Sequence, residues 1–276
     1  MNRRQVLTLS RSLLADARIE DASLEAEILL RHVLGIGRAR LFAELALDFT
    51  PLQEKDLRAL IERRLQGEPS AYITGRREFY GLDFNVNPRV LIPRPETEML
   101  VEKTIEICRA RSIQTIADIG TGCGAIAVSL AVNVPSVSIY ATDISPEALE
   151  VAAQNAAGHG AGDRITFLRG NLLEPLPQPV DIIVANLPYV NKADLSLGGF
   201  EPLLALDGGL DGLDKIRELG SGAGTKLNSG GHLILEIGQG QADAVFTMLR
   251  QALPSGQIEI SRDLAGIARL INLRLT

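Results

Sequence analysis

The sequence predicts an α/β protein: a small all-helical domain, then a short hairpin, then a mostly parallel sheet covered by helices on both faces. Three observations carry this. Residues 1–75 hold helix-period apolar spacing bounded by helix-end residues, with nothing of period two. Residues 77–86 change to period two around a glycine turn. Beyond residue 96, short apolar runs alternate with helix-length stretches, as strands of a parallel sheet do when both faces are buried. The 276 residues suit two domains at ~150 residues each.

Within the helical part, Asp21 is placed to cap a helix whose apolar face is Leu24, Ile28, Leu29 and Val33, with Gly35 as its stop. Thr50 and Gln53 form a capping box with Pro51 at the first helical position, and Gly67 ends that helix. Phe79, Phe84 and Val86 then alternate about a turn at Gly81. The strand runs that follow are 115–119, 137–142, 165–168, 180–185 and 232–237. Residues 257–261 and 268–275 have no helix between them and are expected to pair as an antiparallel edge hairpin. The glycine- and serine-rich stretch 220–231 reads as a helix terminus and loop. The expected boundaries are 1–75 for the helical domain, 76–95 for the hairpin linker and 96–276 for the sheet domain.

Composition narrows the function classes. Apolar residues are 46% and charged residues 22% of the chain, which excludes long disorder and a collagen-like fibre. Lys plus Arg is 28 against 34 Asp plus Glu, a net charge of -6, so a basic nucleic-acid footprint is absent. Cys108 and Cys123, with His32, His159 and His232 scattered singly, are too few for a disulfide framework or a four-ligand zinc site. Arg3 and Arg4 are followed by Arg11, Asp16, Arg18 and Glu20 among the apolar residues. Neither a signal peptide nor a membrane span is therefore expected, and the default address is the cytoplasm.

The stretch Asp118-Ile119-Gly120-Thr121-Gly122-Cys123-Gly124-Ala125 leaves the first predicted strand of the sheet and opens a helix. Glycines there allow a tight turn and let a ligand reach main-chain N–H groups. The next strand ends in Asp143, where a carboxylate can accept both hydroxyls of a ribose. Gly120, Gly122 and Ala125 also satisfy the dinucleotide fingerprint, so glycines alone do not name the ligand. Asp118 tilts the choice toward S-adenosylmethionine, because a carboxylate at that point repels a pyrophosphate and receives an ammonium. Cys123 reads as a small loop residue, with no base nearby to make it a nucleophile. Asn171 and Leu172 follow the third strand at the height of an adenine ring, and equally suit a polar loop residue beside a packing residue.

The fourth strand ends in Asn186-Leu187-Pro188-Tyr189. The Asn186 side-chain carbonyl and the Leu187 backbone carbonyl, the latter held extended by Pro188, are two acceptors that suit a planar NH₂ group. Tyr189 adds a flat face. An amide or aromatic amine is a poor nucleophile because its lone pair is delocalised. Accepting both N–H bonds returns density to nitrogen and aligns it with a methyl donor, so positioning does most of the work.

These stretches resemble the class I methyltransferases that methylate N5 of the glutamine in the Gly-Gly-Gln motif of peptide-chain release factors. The likeness extends to Pro69-Ser70-Ala71-Tyr72-Ile73-Thr74-Gly75, to Phe79-Tyr80-Gly81-Leu82-Asp83-Phe84 and, most specifically, to Leu91-Ile92-Pro93-Arg94-Pro95-Glu96-Thr97-Glu98. It continues through Glu201-Pro202, Ala205-Leu206-Asp207-Gly208-Gly209, Asp211-Gly212-Leu213 and Glu236-Ile237-Gly238 with Gln241, and so covers nearly the whole chain. It implies a Rossmann-like sheet of seven strands with the last antiparallel, and a helical domain that helps hold the release factor. It also implies S-adenosylmethionine as donor and S-adenosylhomocysteine as product; a monomer with no direct nucleic-acid contact is expected. Asp118, Gly120, Thr121, Gly122, Cys123, Gly124, Asp143, Asn171, Leu172 and Asn186 would bind the cofactor. Asn186, Leu187, Pro188 and Tyr189 would clamp the glutamine amide as the catalytic and substrate-binding set. Leu187 replaces the first proline of the family's Asn-Pro-Pro-Tyr, keeping the carbonyl. Asn171 and Leu172 stand where the family often has Asp and an aromatic. Arg94, Glu96 and Glu98 fit either ligand contacts or an ordinary helix start.

The alternative enzyme is an adenine-N6 DNA/RNA methyltransferase, whose target is also a planar NH₂. Charge argues against it: residues 1–80 sum to +1 and the remainder to -7, without the basic stripe a phosphate backbone requires. A nicotinamide dehydrogenase fits the glycines and leaves the tetrapeptide without a role. A non-catalytic binding module predicts loss of Asn186 or Asp143, and both are present.

Overall fold

The computed structural model describes residues 1–195 and 199–276. It divides into two compact units, Met1–Arg76 and Arg77–Thr276. The first is helical: α1 (Arg3–Asp16), α2 (Ala22–Leu34), α3 (Arg38–Ala43), α4 (Pro51–Leu65) and α5 (Ser70–Thr74). Its core gathers Leu7, Leu14, Leu29, Leu30, Leu41, Phe49, Leu57 and Ile61. At α4 the Thr50–Gln53 capping box forms in both directions, behind Pro51. At α2 two expectations are corrected. Asp21 lies in the left-handed region and makes no side-chain cap bond; only its backbone carbonyl serves the helix, receiving the Leu24 and Glu25 amides. The buried stripe is Ala26, Leu29 and Leu30, while Leu24 is 47% exposed. Positions 26, 29, 30 and 33 form one i, i+3, i+4, i+7 row once alanine is counted as apolar, and Leu24 falls outside it.

The second unit centres on a seven-stranded sheet of β3 (Thr115–Ile119), β4 (Ser138–Asp143), β5 (Ile165–Arg169), β6 (Val180–Ala185), β7 (Leu227–Glu236), β8 (Gln257–Arg262) and β9 (Ala268–Arg274). The strand order is β5-β4-β3-β6-β7-β9-β8. Neighbours from β5 to β7 pair in parallel, and β9 pairs antiparallel with both β7 and β8, so the C-terminal hairpin forms as expected. Its helices are α6 (Glu98–Ala110), α7 (Ala125–Asn133), α8 (Pro146–Gly158), α9 (Asp214–Lys226) and α10 (Ala242–Ala252). Helix α7 is apolar nearly all round and buried over Ala125 to Ala131, as a helix enclosed on all sides must be.

Strands β1 (Arg76–Phe79) and β2 (Leu82–Asn85) make the expected hairpin. Tyr80 and Gly81 both have positive φ, 52° and 74°, the primed turn whose twist matches its strands. The hairpin is fastened to the body of the second unit. Asn155 of α8 exchanges two hydrogen bonds with the Asn85 backbone, and Glu98 of α6 accepts from the Tyr80 amide at 2.9 Å.

Residues 220–226, expected to lie at a helix terminus and loop, lie within α9, and β7 begins at Leu227. Glycine costs about 1 kcal/mol against alanine inside a helix. Here it removes bulk where α10 seats: a Cβ at Gly220 would stand 3.0 Å from Leu249 Cδ2, and one at Gly224 2.8 Å from Leu253 Cδ2. Packing overrides propensity. Among the described residues no helix is long and apolar enough to cross a membrane.

A buried histidine gives the fold a pH dependence. Arg111 Nη1 lies 3.1 Å from His232 Nε2, and Asn272 Oδ1 lies 3.0 Å from Nδ1. A guanidinium can only donate, so Nε2 accepts, and Nδ1 carries the proton and donates to Asn272. Desolvation, then opposed by the Asn272 bond and reinforced by Arg111, Arg274 and Lys103, holds the imidazole pKa below its usual value. Unfolded chain then binds more protons than folded chain just below pH 6.5. This contribution to stability is complete above that pH and declines as pH falls toward the folded-state value. Denaturant unfolding at pH 7.5 and 5.5 is expected to show a smaller acid loss for His232→Gln than for wild type; equal losses would contradict the assignment.

Candidate active site

The chain builds the sheet outward from β3 in one direction through β4 and β5, and in the other through β6 and β7. Connections therefore diverge above the carboxyl ends of β3 and β6, where open α/β sheets bind ligands. Ile119 pairs with Ala185, so the glycine loop and the tetrapeptide leave adjacent strands side by side.

The loop's glycines answer to different needs. At Gly120, φ is +73° and a Cβ would stand 3.2 Å from Leu187 Cδ2, so the loop touches the tetrapeptide directly. At Gly124, φ is +82° and a Cβ would stand 3.1 Å from Ala152 Cβ, which lets α7 close on α8. Gly122, between them, has φ +56° and nothing within 4 Å of a built Cβ. That is open space over backbone.

Two carboxylates bracket the loop. Asp118 is fully buried; its Oδ2 accepts from Thr121 Oγ1 at 2.6 Å and from the Ala127 amide at 3.1 Å. Its Oδ1 has no partner among the described residues. Burial lifts the Asp118 carboxyl to about 7, against the pull of those two hydrogen bonds. Asp143 is partly buried, accepting from Gly122 N and Ser145 N at 2.9 Å each, and burial raises its pKa despite these bonds. The amides of Gly120 and Thr121 both donate to the Thr142 carbonyl. Burial pushes the Cys123 thiol up to about 12, which leaves it a packing residue whose carbonyl accepts from Asn155. Leu172 sits at φ 47° beside the loop, with its carbonyl receiving Thr142 Oγ1. The Asn171 amide is engaged by α9, donating to Glu218 and accepting from Lys215 Nζ.

On the tetrapeptide, Asn186 Nδ2 donates to Thr97 Oγ1 at 3.0 Å. Among the described residues no N–H or O–H donates to Asn186 Oδ1 or to the Leu187 carbonyl, so two acceptors stand free. Leu187 itself is buried. The Tyr189 hydroxyl donates to Glu236 Oε1 at 3.1 Å, and its carbonyl accepts from Gln241 Nε2 at 3.0 Å. Burial, with Glu236 adding to it, raises the phenol pKa far above its usual 10. The following residue is held too: Val190 N donates to the Leu206 carbonyl and Gly208 N to the Val190 carbonyl. A Cβ at Gly238 would stand 3.1 Å from Tyr189 Cδ2.

Thr97, Glu236 and Gln241 belong to this site, and sequence reasoning gave them no role. Their partners lie 47 to 89 residues away along the chain. A usable signal existed in Glu236, an acid closing the apolar run Leu233-Ile234-Leu235. Arg94, Glu96 and Glu98 have protein partners: Arg94 pairs with Glu201, which also accepts from Ile92 N; Glu98 holds Tyr80; and Glu96 lies 3.9 Å from Arg269.

Comparison with known proteins fits this geometry. Residues 5–75 match the family model described as the PrmC N-terminal domain, and residues 96–205 the one described as the methyltransferase small domain. The release factor glutamine methyltransferase of Moorella thermoacetica is 44% identical over 273 residues, covering 96% of this chain and 96% of that protein. Its counterpart in Geobacter sulfurreducens is 43% identical over 251 residues, 89% of this chain and 87% of that protein. Among solved structures, the ribosomal protein L11 methylase of Lactobacillus delbrueckii subsp. bulgaricus aligns with a TM-score of 0.51 at 25% identity, covering 69% of this chain and 83% of that one.

Proposed function

The chain belongs to the release factor glutamine methyltransferase family, and on that premise we propose that the glycine loop and Asn186-Leu187-Pro188-Tyr189 are the donor and acceptor halves of one methyl-transfer site. The enzyme methylates N5 of the release-factor glutamine, in our reading the one in Gly-Gly-Gln, in the cytoplasm where translation factors act. The helical unit helps hold the release factor. The observation that carries this is the pair of unpaired acceptors at Asn186 Oδ1 and the Leu187 carbonyl, in contact with the glycine loop through Leu187 and Gly120.

The residues present fit S-adenosylmethionine. The open space over Gly122 admits a ligand to the backbone, Asp118 Oδ1 is a buried acceptor lacking a donor, and Asp143 has acceptor capacity beyond its two backbone bonds. Gly120 to Gly124, Asp118 and Asp143 would hold the donor, with Leu172 beside it. When bound, S-adenosylmethionine supplies an electrophilic methyl on a sulfonium. Asn186 and Leu187 each accept one N–H of the glutamine amide, which draws its lone pair back to nitrogen and fixes its direction. Tyr189, stiffened by Glu236 and Gln241, gives the amide a flat wall. The proton leaves after the methyl arrives, so no strong base is needed. Family membership and the acidic balance both disfavour the adenine-N6 reading.

Mass analysis of purified release factor after incubation with enzyme and S-adenosylmethionine tests the assignment. One methyl on the Gly-Gly-Gln peptide is expected, and no gain refutes it. Asp143→Ala is expected to weaken S-adenosylmethionine binding roughly 10- to 100-fold by losing charge-assisted hydrogen bonds, and unchanged calorimetric affinity would remove Asp143 from the donor site.

A further inference from the structure

Resting on the methyl-transfer reading above, we propose that Glu236 is a positioning residue that orients both ends of the tetrapeptide, Tyr189 directly and Asn186 through the hydroxyl of Thr97. Counting protons fixes the directions. Thr97 Oγ1 already accepts from Asn186 Nδ2, and its one proton must go elsewhere. The acceptor to hand is Glu236: this buried carboxyl takes the Tyr189 hydroxyl on Oε1, and its Oε2 is buried without a hydrogen-bond partner among the described residues. Burial raises the Glu236 pKa, and Thr97 and Tyr189 both pull it back toward the charged form. Thr97 is itself buried, and its amide donates to the Arg94 carbonyl.

A carboxylate only accepts. Thr97 therefore donates toward Glu236 and can only accept from Asn186. The Asn186 amide is then oriented with one N–H on Thr97 and its carbonyl oxygen turned away from that hydroxyl. Were the group at 236 an amide, it could donate to Thr97. The hydroxyl would then be free to donate to Asn186, whose amide would turn and offer N–H donors to a substrate NH₂ that also only donates. The charge at 236 thus decides which face of Asn186 meets the glutamine.

The test compares wild type, Thr97→Ser, Thr97→Val, Glu236→Gln and the Thr97→Val/Glu236→Gln double variant for methyl transfer to release factor, S-adenosylmethionine affinity and thermal midpoint. Threonine and valine are close in shape, so that pair stays informative even if Glu236→Gln folds poorly. Expected are a kcat loss of roughly 10- to 100-fold for Thr97→Val and for Glu236→Gln, with donor affinity nearly unchanged, and recovery to within about threefold in Thr97→Ser. Because both groups act along one path, the double variant loses no more than the worse single variant. Equal turnover by Thr97→Val and Thr97→Ser, or losses that multiply in the double variant, would overturn the role. A wild-type enzyme that adds no methyl would instead overturn the function itself, and this role with it.

Discussion

Asn186→Ala is expected to lower methyl transfer by roughly 10²- to 10³-fold in kcat while donor affinity stays within about threefold. The side chain makes one internal hydrogen bond, from Nδ2 to Thr97, and leaves Oδ1 unpaired. Truncation removes an acceptor from the acceptor half and leaves the glycine loop and its carboxylates intact. The Leu187 carbonyl survives, so a residual rate remains, with one N–H of the substrate unheld. Calorimetry with S-adenosylmethionine and methyl incorporation into release factor measure the two halves separately. Full turnover in the variant would mean the amide is gripped elsewhere.

Gly212→Ala is expected to damage the same site from behind. Gly212 has φ +74°, and a Cβ there would stand 2.4 Å from the Tyr189 carbonyl oxygen and 2.8 Å from Gln241 Nε2. Backbone cannot yield as a flexible side chain does, so the tetrapeptide or the 208–213 turn must move. Turnover should fall at least ~10-fold and stability by about 1–3 kcal/mol, as for a strained backbone with added overlap. Gly240→Ala is the control: its φ is +85°, yet nothing lies within 4 Å of its Cβ. It carries the strain without the collision. If both variants lose turnover equally, the collision with Tyr189 is not the cause.

Much of the architecture was legible because burial leaves a periodic trace. Strands β3 and β6 fall on the predicted runs, and the Thr50–Gln53 box and Gly35 stop lie where their chemistry places them. Reading failed where a contact from elsewhere in the chain decides. The glycines of α9 read as a loop, since nothing local announces that Leu249 and Leu253 need their missing side chains. The site divides the same way. Asp118, the glycines, Asp143 and Asn186 could be singled out because each sits at or just beyond a strand end, which is where the structure has them. Thr97 and Glu236 were quoted as pattern and given no task, because their partners are set by tertiary packing. Asn171 shows the converse: its side chain is taken up by Glu218 and Lys215, residues on a helix that local reading did not connect to it.

The order β7-β9-β8 also governs when the sheet can be completed. Strand β8 is synthesised before β9, yet its pairing partner within the sheet is β9. Strand β8 can pair as soon as β9 follows it, but until β9 docks on β7 the margin of β7 that ends in Glu236 stays open. Closure across that margin is long-range, hence late and exposed to wrong association. Amide exchange during refolding should therefore find the β7–β9 hydrogen bonds protected only after the β3–β4 pair, with Glu236 among the last groups to reach its final surroundings.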